Sequence, residues 1–182
     1  GTRRGNHEVM VRGTFANVRI RNEMVPGIEG GMTLHQGQVM PIHDAALRFC
    51  QDGIPLVIVA GKEYGTGSAR DWAAKGTAAI GVRVVIAESF ERFHRANLVG
   101  MGVLPLQFMP GEDRHSLGLC HSDRFTILDL ADLEPLGPVT VRVDRADGSS
   151  LSFETLCRID TMMEKRYFLG GGILKSIARS IG

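Results

Sequence analysis

Between Lys62 and Gly76 the chain reads Lys-Glu-Tyr-Gly-Thr-Gly-Ser-Ala-Arg-Asp-Trp-Ala-Ala-Lys-Gly, a glycine-rich turn running into a helix-forming segment. Gly65 and Gly67 let the backbone come close to a ligand, and the first turn of the following helix offers unpaired amides at a positive dipole end. An anion suits such a place. Ser68 brings a hydroxyl to it, and Arg70 brings a guanidinium whose fork matches a carboxylate. Each also has a plainer reading. Ser68 is a good N-cap, with Asp71 three residues on completing an Asp version of the capping box, and Arg70 by itself is a solvated charge.

Spacing argues against other chemistry. A phosphate loop needs Gly-x-x-x-x-Gly-Lys-Ser/Thr, and Gly61 to Ser68 lacks both that spacing and the Lys before the hydroxyl. The dinucleotide fingerprint fails because Arg70 stands where its third glycine belongs. The six histidines, at positions 7, 35, 43, 94, 115 and 121, form no i, i+4 pair on a predicted helix and read as surface or packing residues. Cys50, Cys120 and Cys157 are odd in number and widely spaced, which points to neither a disulfide framework nor a self-contained metal or cluster site. A reducing cytoplasm fits them. Arg3, Arg4, Arg12, Arg19 and Arg21 give a basic start that could meet RNA or another polyanion, although a solvated face is the plainer reading.

The elements that must hold the turn follow from apolar periodicity. Ile42, Ala45, Ala46 and Phe49 fall at helical spacing behind Pro41, with Gly53 as a stop, predicting a helix over 42–51. Leu56 to Val59 is a short β-branched run with the pattern of a strand buried on both faces, and the glycine-rich loop follows it from 61 to 67. A helix over 70–80, a buried run at 82–87, a helical stretch opened by Ser89 with Arg92 and ending at Val99, and an apolar run at 104–108 complete an α/β core. Beyond Pro110 the segments 125–128, 139–143 and 151–159 alternate more, and Asp147-Gly148 marks a hairpin between the last two. These segments predict a β-rich layer over one side of the core. Ile173, Leu174, Ile177 and Ile181 then share one face of a terminal helix. The stretch from Glu8 to Arg21 gives no clear element, and Pro26 to Gly31 reads as loop.

At 182 residues the chain has the size of one domain, 1–182, with enough length for a core of its own. Lys plus Arg total 21 against 20 Asp plus Glu, so no broad field favours nucleic acid or a membrane surface, and no apolar run is long enough to span a bilayer. The start Gly-Thr-Arg-Arg-Gly-Asn has neither an initiator Met nor a signal-peptide apolar region and reads as a piece of something longer.

Several long motifs follow in order: Arg3-Arg-Gly-Asn-His-Glu-Val-Met-Val-Arg-Gly-Thr-Phe-Ala-Asn-Val-Arg19, the stretch from Lys62 to Gly76, and Ala87-Glu-Ser-Phe-Glu-Arg-Phe-His-Arg-Ala-Asn-Leu-Val-Gly-Met-Gly-Val-Leu-Pro-Leu106. Arg158-Ile-Asp-Thr161 and Tyr167-Phe-Leu-Gly-Gly-Gly-Ile-Leu174 extend them over nearly the whole chain. Together they closely resemble the C-terminal domain of the monomeric aconitase and iron-regulatory-protein family.

The resemblance implies a swivelling β/β/α domain, like the small subunit of isopropylmalate isomerase, that closes over a [4Fe-4S] cluster held by cysteines of the remaining aconitase domains. It implies the interconversion of citrate and isocitrate through cis-aconitate, with the cluster iron acting on the leaving hydroxyl and no cluster ligand in this chain. In the family's Gly-Ser-Ser-Arg loop the first Ser, the base, matches Ser68, and the Arg that binds a substrate carboxylate matches Arg70. The second Ser is Ala69 here, which leaves its backbone amide, with that of Gly67, as the substrate contact. Two related readings share the architecture: a neighbouring hydro-lyase such as 2-methylisocitrate dehydratase, and an RNA-binding iron-regulatory protein toward which only the Arg-rich start leans.

Overall fold

A computed structural model of the protein describes residues 6–67 and 70–181. After a short helix α1 (His7–Arg12) come a hairpin of β1 (Met32–His35) and β2 (Gln38–Pro41) and the helix α2 (Ile42–Gln51). The core then runs β3 (Leu56–Ala60), α3 (Arg70–Ala79), β4 (Val82–Ala87), α4 (Arg92–Gly100) and β5 (Leu104–Phe108). The rest is β6 (Arg124–Ile127), β7 (Pro138–Asp144), β8 (Ser150–Cys157), α5 (Met162–Leu169) and α6 (Ile173–Ile181).

Six strands form one mixed sheet in the order β3-β4-β5-β8-β7-β6. The first three are parallel, as their helical crossovers require, and β8, β7 and β6 continue the sheet antiparallel from β5. The C-terminal strands therefore do not make the separate covering layer that their alternation suggested. β8 pairs edge to edge with β5, with Leu106 opposite Cys157, and the alternating residues belong to the same sheet as the parallel core. The Asp147-Gly148 hairpin between β7 and β8 is as expected.

Alternation along the strands builds a core on each face. Val85 joins Ala74, Ile80, Leu98 and Val103, whereas its neighbour Ile86 joins Leu106, Phe108, Val141 and Phe153. The expectation that β3 is buried on both faces is corrected. All five of its residues are only partly buried, because among the described residues β3 has only β4 beside it at the end of the sheet. A β-branched run signals affinity for a sheet, not the number of neighbouring strands. Opposite α3, the Thr14 side chain approaches Gly76 so closely that a Cβ there would lie 1.8 Å from Thr14 Oγ1, so only glycine permits this packing of the α1 segment on α3.

Pro105 lies inside β5, where a missing donor normally weakens a ladder. Its carbonyl accepts the Arg158 N–H at 2.9 Å, but it has no N–H to return. The Arg158 carbonyl instead accepts Arg95 Nη1–H at 2.7 Å. Arg95, only 6% exposed on α4, also forks onto Glu164 of α5 through two 2.9 Å bonds and lies 3.3 Å from Asp160. Burial opposes the charge on both partners, yet the hydrogen bonds prevail: Glu164 titrates below, and Arg95 above, its usual range. This pair fixes α4 against the sheet and α5.

Candidate active site

The loops after β3, β4 and β5 gather at the carboxyl ends of the parallel strands, where open α/β sheets usually bind their ligands. The 61–67 loop is stitched to the β4–α4 connection. Glu88 N–H donates to the Gly61 carbonyl (3.1 Å), Glu63 N–H to Ser89 Oγ (2.7 Å), Tyr64 N–H to the Ser89 carbonyl (3.0 Å) and Glu91 N–H to the Tyr64 carbonyl (2.9 Å). Ser89 therefore does not open α4. The cap is Glu91, whose Oε2 accepts His94 N–H at 2.7 Å, because the Ser89 hydroxyl is engaged by the loop.

Gly65, at φ +93°, rests against the imidazole of the buried His94, where an added Cβ would stand 2.2 Å from Cγ and Cδ2. The Tyr64 ring meets His94 and Phe90 edge-on at centroid distances of 5.3 and 6.1 Å. Burial pushes the Tyr64 phenol up to about 12, only partly offset by hydrogen bonding with Thr77, so this ring is a neutral packing element at ordinary pH. Beyond the turn, Asp71 Oδ1 accepts Asn97 Nδ2–H at 2.9 Å and ties the start of α3 to α4.

Ser68 and Ala69 lie outside the described residues. Arg70 is the first residue of α3 as described, three residues beyond Gly67. Gly67 is exposed at φ +154°, and among the described residues nothing within 4 Å would meet a Cβ there, so they leave its backbone open to approach. Beside the loop opens a hollow of about 350 Å³ lined by Lys62, Glu88, Glu112 and Asp113, among others. Three carboxylates against one ammonium disfavour a polycarboxylate in that hollow. Nearby, Arg114 pairs with Glu23 and lies 3.7 Å from Glu88. Its hydrogen bonds hold Glu23 below the usual carboxylate range.

Among the described residues no three His, Cys, Asp or Glu side chains come together to hold a metal ion, and Cys50, Cys120 and Cys157 are all free. These residues do not fit an iron-sulfur cluster. Of the basic start, Arg12 lies 3.5 Å from Asp44 and Arg21 2.8 Å from Glu29, while Arg3 and Arg4 fall outside the described residues. Among the described residues no helix is long and apolar enough to cross a membrane. The sequence singled out the turn but not its supports: Ser89 reads there as a helix opener and His94 as a surface or packing residue, while Glu91 and Asn97 carry no signal beyond belonging to one family-like motif.

Fold and site together define an α/β domain that presents a glycine-rich, helix-opening turn at the carboxyl ends of its parallel strands. The chain belongs to the aconitase C-terminal domain family, whose model matches residues 1–111. It is 62% identical to aconitate hydratase A of Pseudomonas aeruginosa and 57% identical to that of Escherichia coli, over 100% of this chain and 20% of each relative. The Staphylococcus epidermidis aconitate hydratase A is 50% identical over 99% of the chain. The chain thus spans about one fifth of the length of these curated relatives. A solved 3-isopropylmalate dehydratase from Methanocaldococcus jannaschii shows a loose likeness, with TM-score 0.43 and 19% identity over 69% of this chain and 64% of that one.

Proposed function

We propose that residues 1–182 are one domain of an aconitate hydratase, a hydro-lyase that interconverts citrate and isocitrate through cis-aconitate, and that this domain swivels to close over the substrate. The observation that carries the reading is that α3 runs from Arg70, three residues beyond Gly67 in the Gly65–Gly67 turn that follows β3. That position supplies helix-end amides and a guanidinium to an anionic substrate. In this reading Arg70 forks onto a substrate carboxylate, and the backbone amides of Gly67 and Ala69 hold a second oxygen. The methyl group of Ala69 adds no hydroxyl contact.

Ser68 takes the proton from the carbon next to a carboxylate. A serine hydroxyl is a weak base, so it acts as an alkoxide stabilised by the amides and by Arg70 in a closed, water-poor site. In this reading the cluster of such an enzyme belongs to its other domains. Three free cysteines suit a cytoplasmic enzyme.

Ser68→Gly in the full-length enzyme is the direct test. Gly replaces a capping Ser at a cost of a few tenths of a kcal/mol, so stability should hold while kcat falls by orders of magnitude. A stable variant with unchanged kcat removes Ser68 from the reaction.

A further inference from the structure

We propose that one face of α4, through His94 and Asn97, positions the reactive turn, and that Asn97 is a positioning residue for Ser68 and Arg70; this rests on the function proposed above. The two sides of the turn meet the same helix. On the N-terminal side, Gly65 is seated on the His94 ring with no room for a Cβ. On the C-terminal side, Asp71 accepts a hydrogen bond from Asn97 at 2.9 Å. His94 and Asn97 are three residues apart in α4 and so neighbour each other on its surface, roughly 5–6 Å apart at their Cβ atoms.

The helix is a firm base for such a clamp. Arg95, Leu98 and Val99 are buried, Glu91 caps the first turn, and Arg95 is tied to the Arg158 carbonyl, Asp160 and Glu164. The Asp71–Asn97 bond, by contrast, is exposed, and its loss removes little from the core. What it controls is the place where α3 begins, and with it the direction from which the hydroxyl and the guanidinium meet the substrate. Proton abstraction is sensitive to displacements of about 1 Å, so the clamp acts on kcat far more than on folding.

The test uses the full-length enzyme. Asn97→Ala should lower kcat about ten- to a hundredfold with an almost unchanged Tm, and should speed amide hydrogen exchange at residues 64–67 and 70–72. Exchanging the partners, with Asp71→Asn and Asn97→Asp together, rebuilds the bond in the opposite sense and should recover most of kcat, whereas Asn97→Asp alone opposes two carboxylates and should not. Wild-type kcat and unaltered exchange in Asn97→Ala would overturn the proposal, as would a folded exchange variant no better than the single ones. Hydrogen exchange does not depend on turnover. If Ser68→Gly proves fully active, the reading of Ser68 falls, while faster exchange in Asn97→Ala still establishes the clamp.

Discussion

Replacing Gly65 by Ala adds one methyl group at the point where the loop rests on α4. Two costs arise. At φ +93° an L side chain is strained by about 1–2 kcal/mol. The new Cβ would also lie 2.2 Å from His94 Cγ and Cδ2, whereas ordinary contact begins at 3.4 Å, so ring and backbone must separate by about 1.2 Å. His94 is only 2% exposed, which places the collision in the overpacking range of about 1–3 kcal/mol. The sum is about 2–5 kcal/mol. Gly27→Ala supplies the control: φ is +81°, nothing lies within 4 Å of a Cβ, and only the backbone strain should remain. Urea unfolding of both variants in the full-length enzyme measures the difference, and turnover shows whether a loop displaced by about 1 Å loses activity some hundredfold. Equal stability losses for the two variants, with normal turnover in Gly65→Ala, would refute the packing of the loop on His94.

Arg70→Lys should impair substrate binding, because an ammonium cannot reproduce a two-bond fork; KM and kcat equal to wild type would identify Arg70 as a solvated helix residue. Glu164→Gln should destabilise the fold by about 3 kcal/mol near neutral pH, at the low end for breaking a buried pair because Glu164 keeps some exposure to water. The sign with pH follows from the depressed Glu164 titration: its contribution is complete above the ordinary value of 4.5 and is lost as pH falls through the lower folded value. The stability gap between Glu164→Gln and wild type, measured by denaturant unfolding, should therefore be constant from pH 7 to about 5 and shrink below it; a gap that widens in acid would contradict the pairing.

Elements whose signal is local were legible in the sequence. The helix over 42–51 has the expected bounds, and the three apolar runs at 56, 82 and 104 became the parallel strands. The β1–β2 hairpin was not foreseen because its turn is Gln36-Gly37, and Gln at φ +48° lacks the Asn or Asp signature of such turns. The helix at 162–169 was missed although Thr161 and Glu164 carry a capping pattern, since its exposed methionines and mixed polarity show no apolar stripe. For the site, residue types picked out the turn. Its supports depend on Glu63 reaching Ser89 and Asn97 reaching Asp71, each across 26 residues, and such pairs arise only when strands β3 and β4 align.

The proline inside β5 bears on how the molecule yields to force. Had residue 105 carried an N–H, the Arg158 carbonyl would have closed a ladder bond within the plane of the sheet. Its absence leaves that carbonyl to the Arg95 guanidinium, and a bond between strands becomes one that crosses from sheet to helix. α4 therefore cannot slide along the strand axis without breaking a charge-assisted bond, and the layers resist shear where a smooth apolar contact would let them slip. The loop that rests on the first turn of α4 inherits that stiffness.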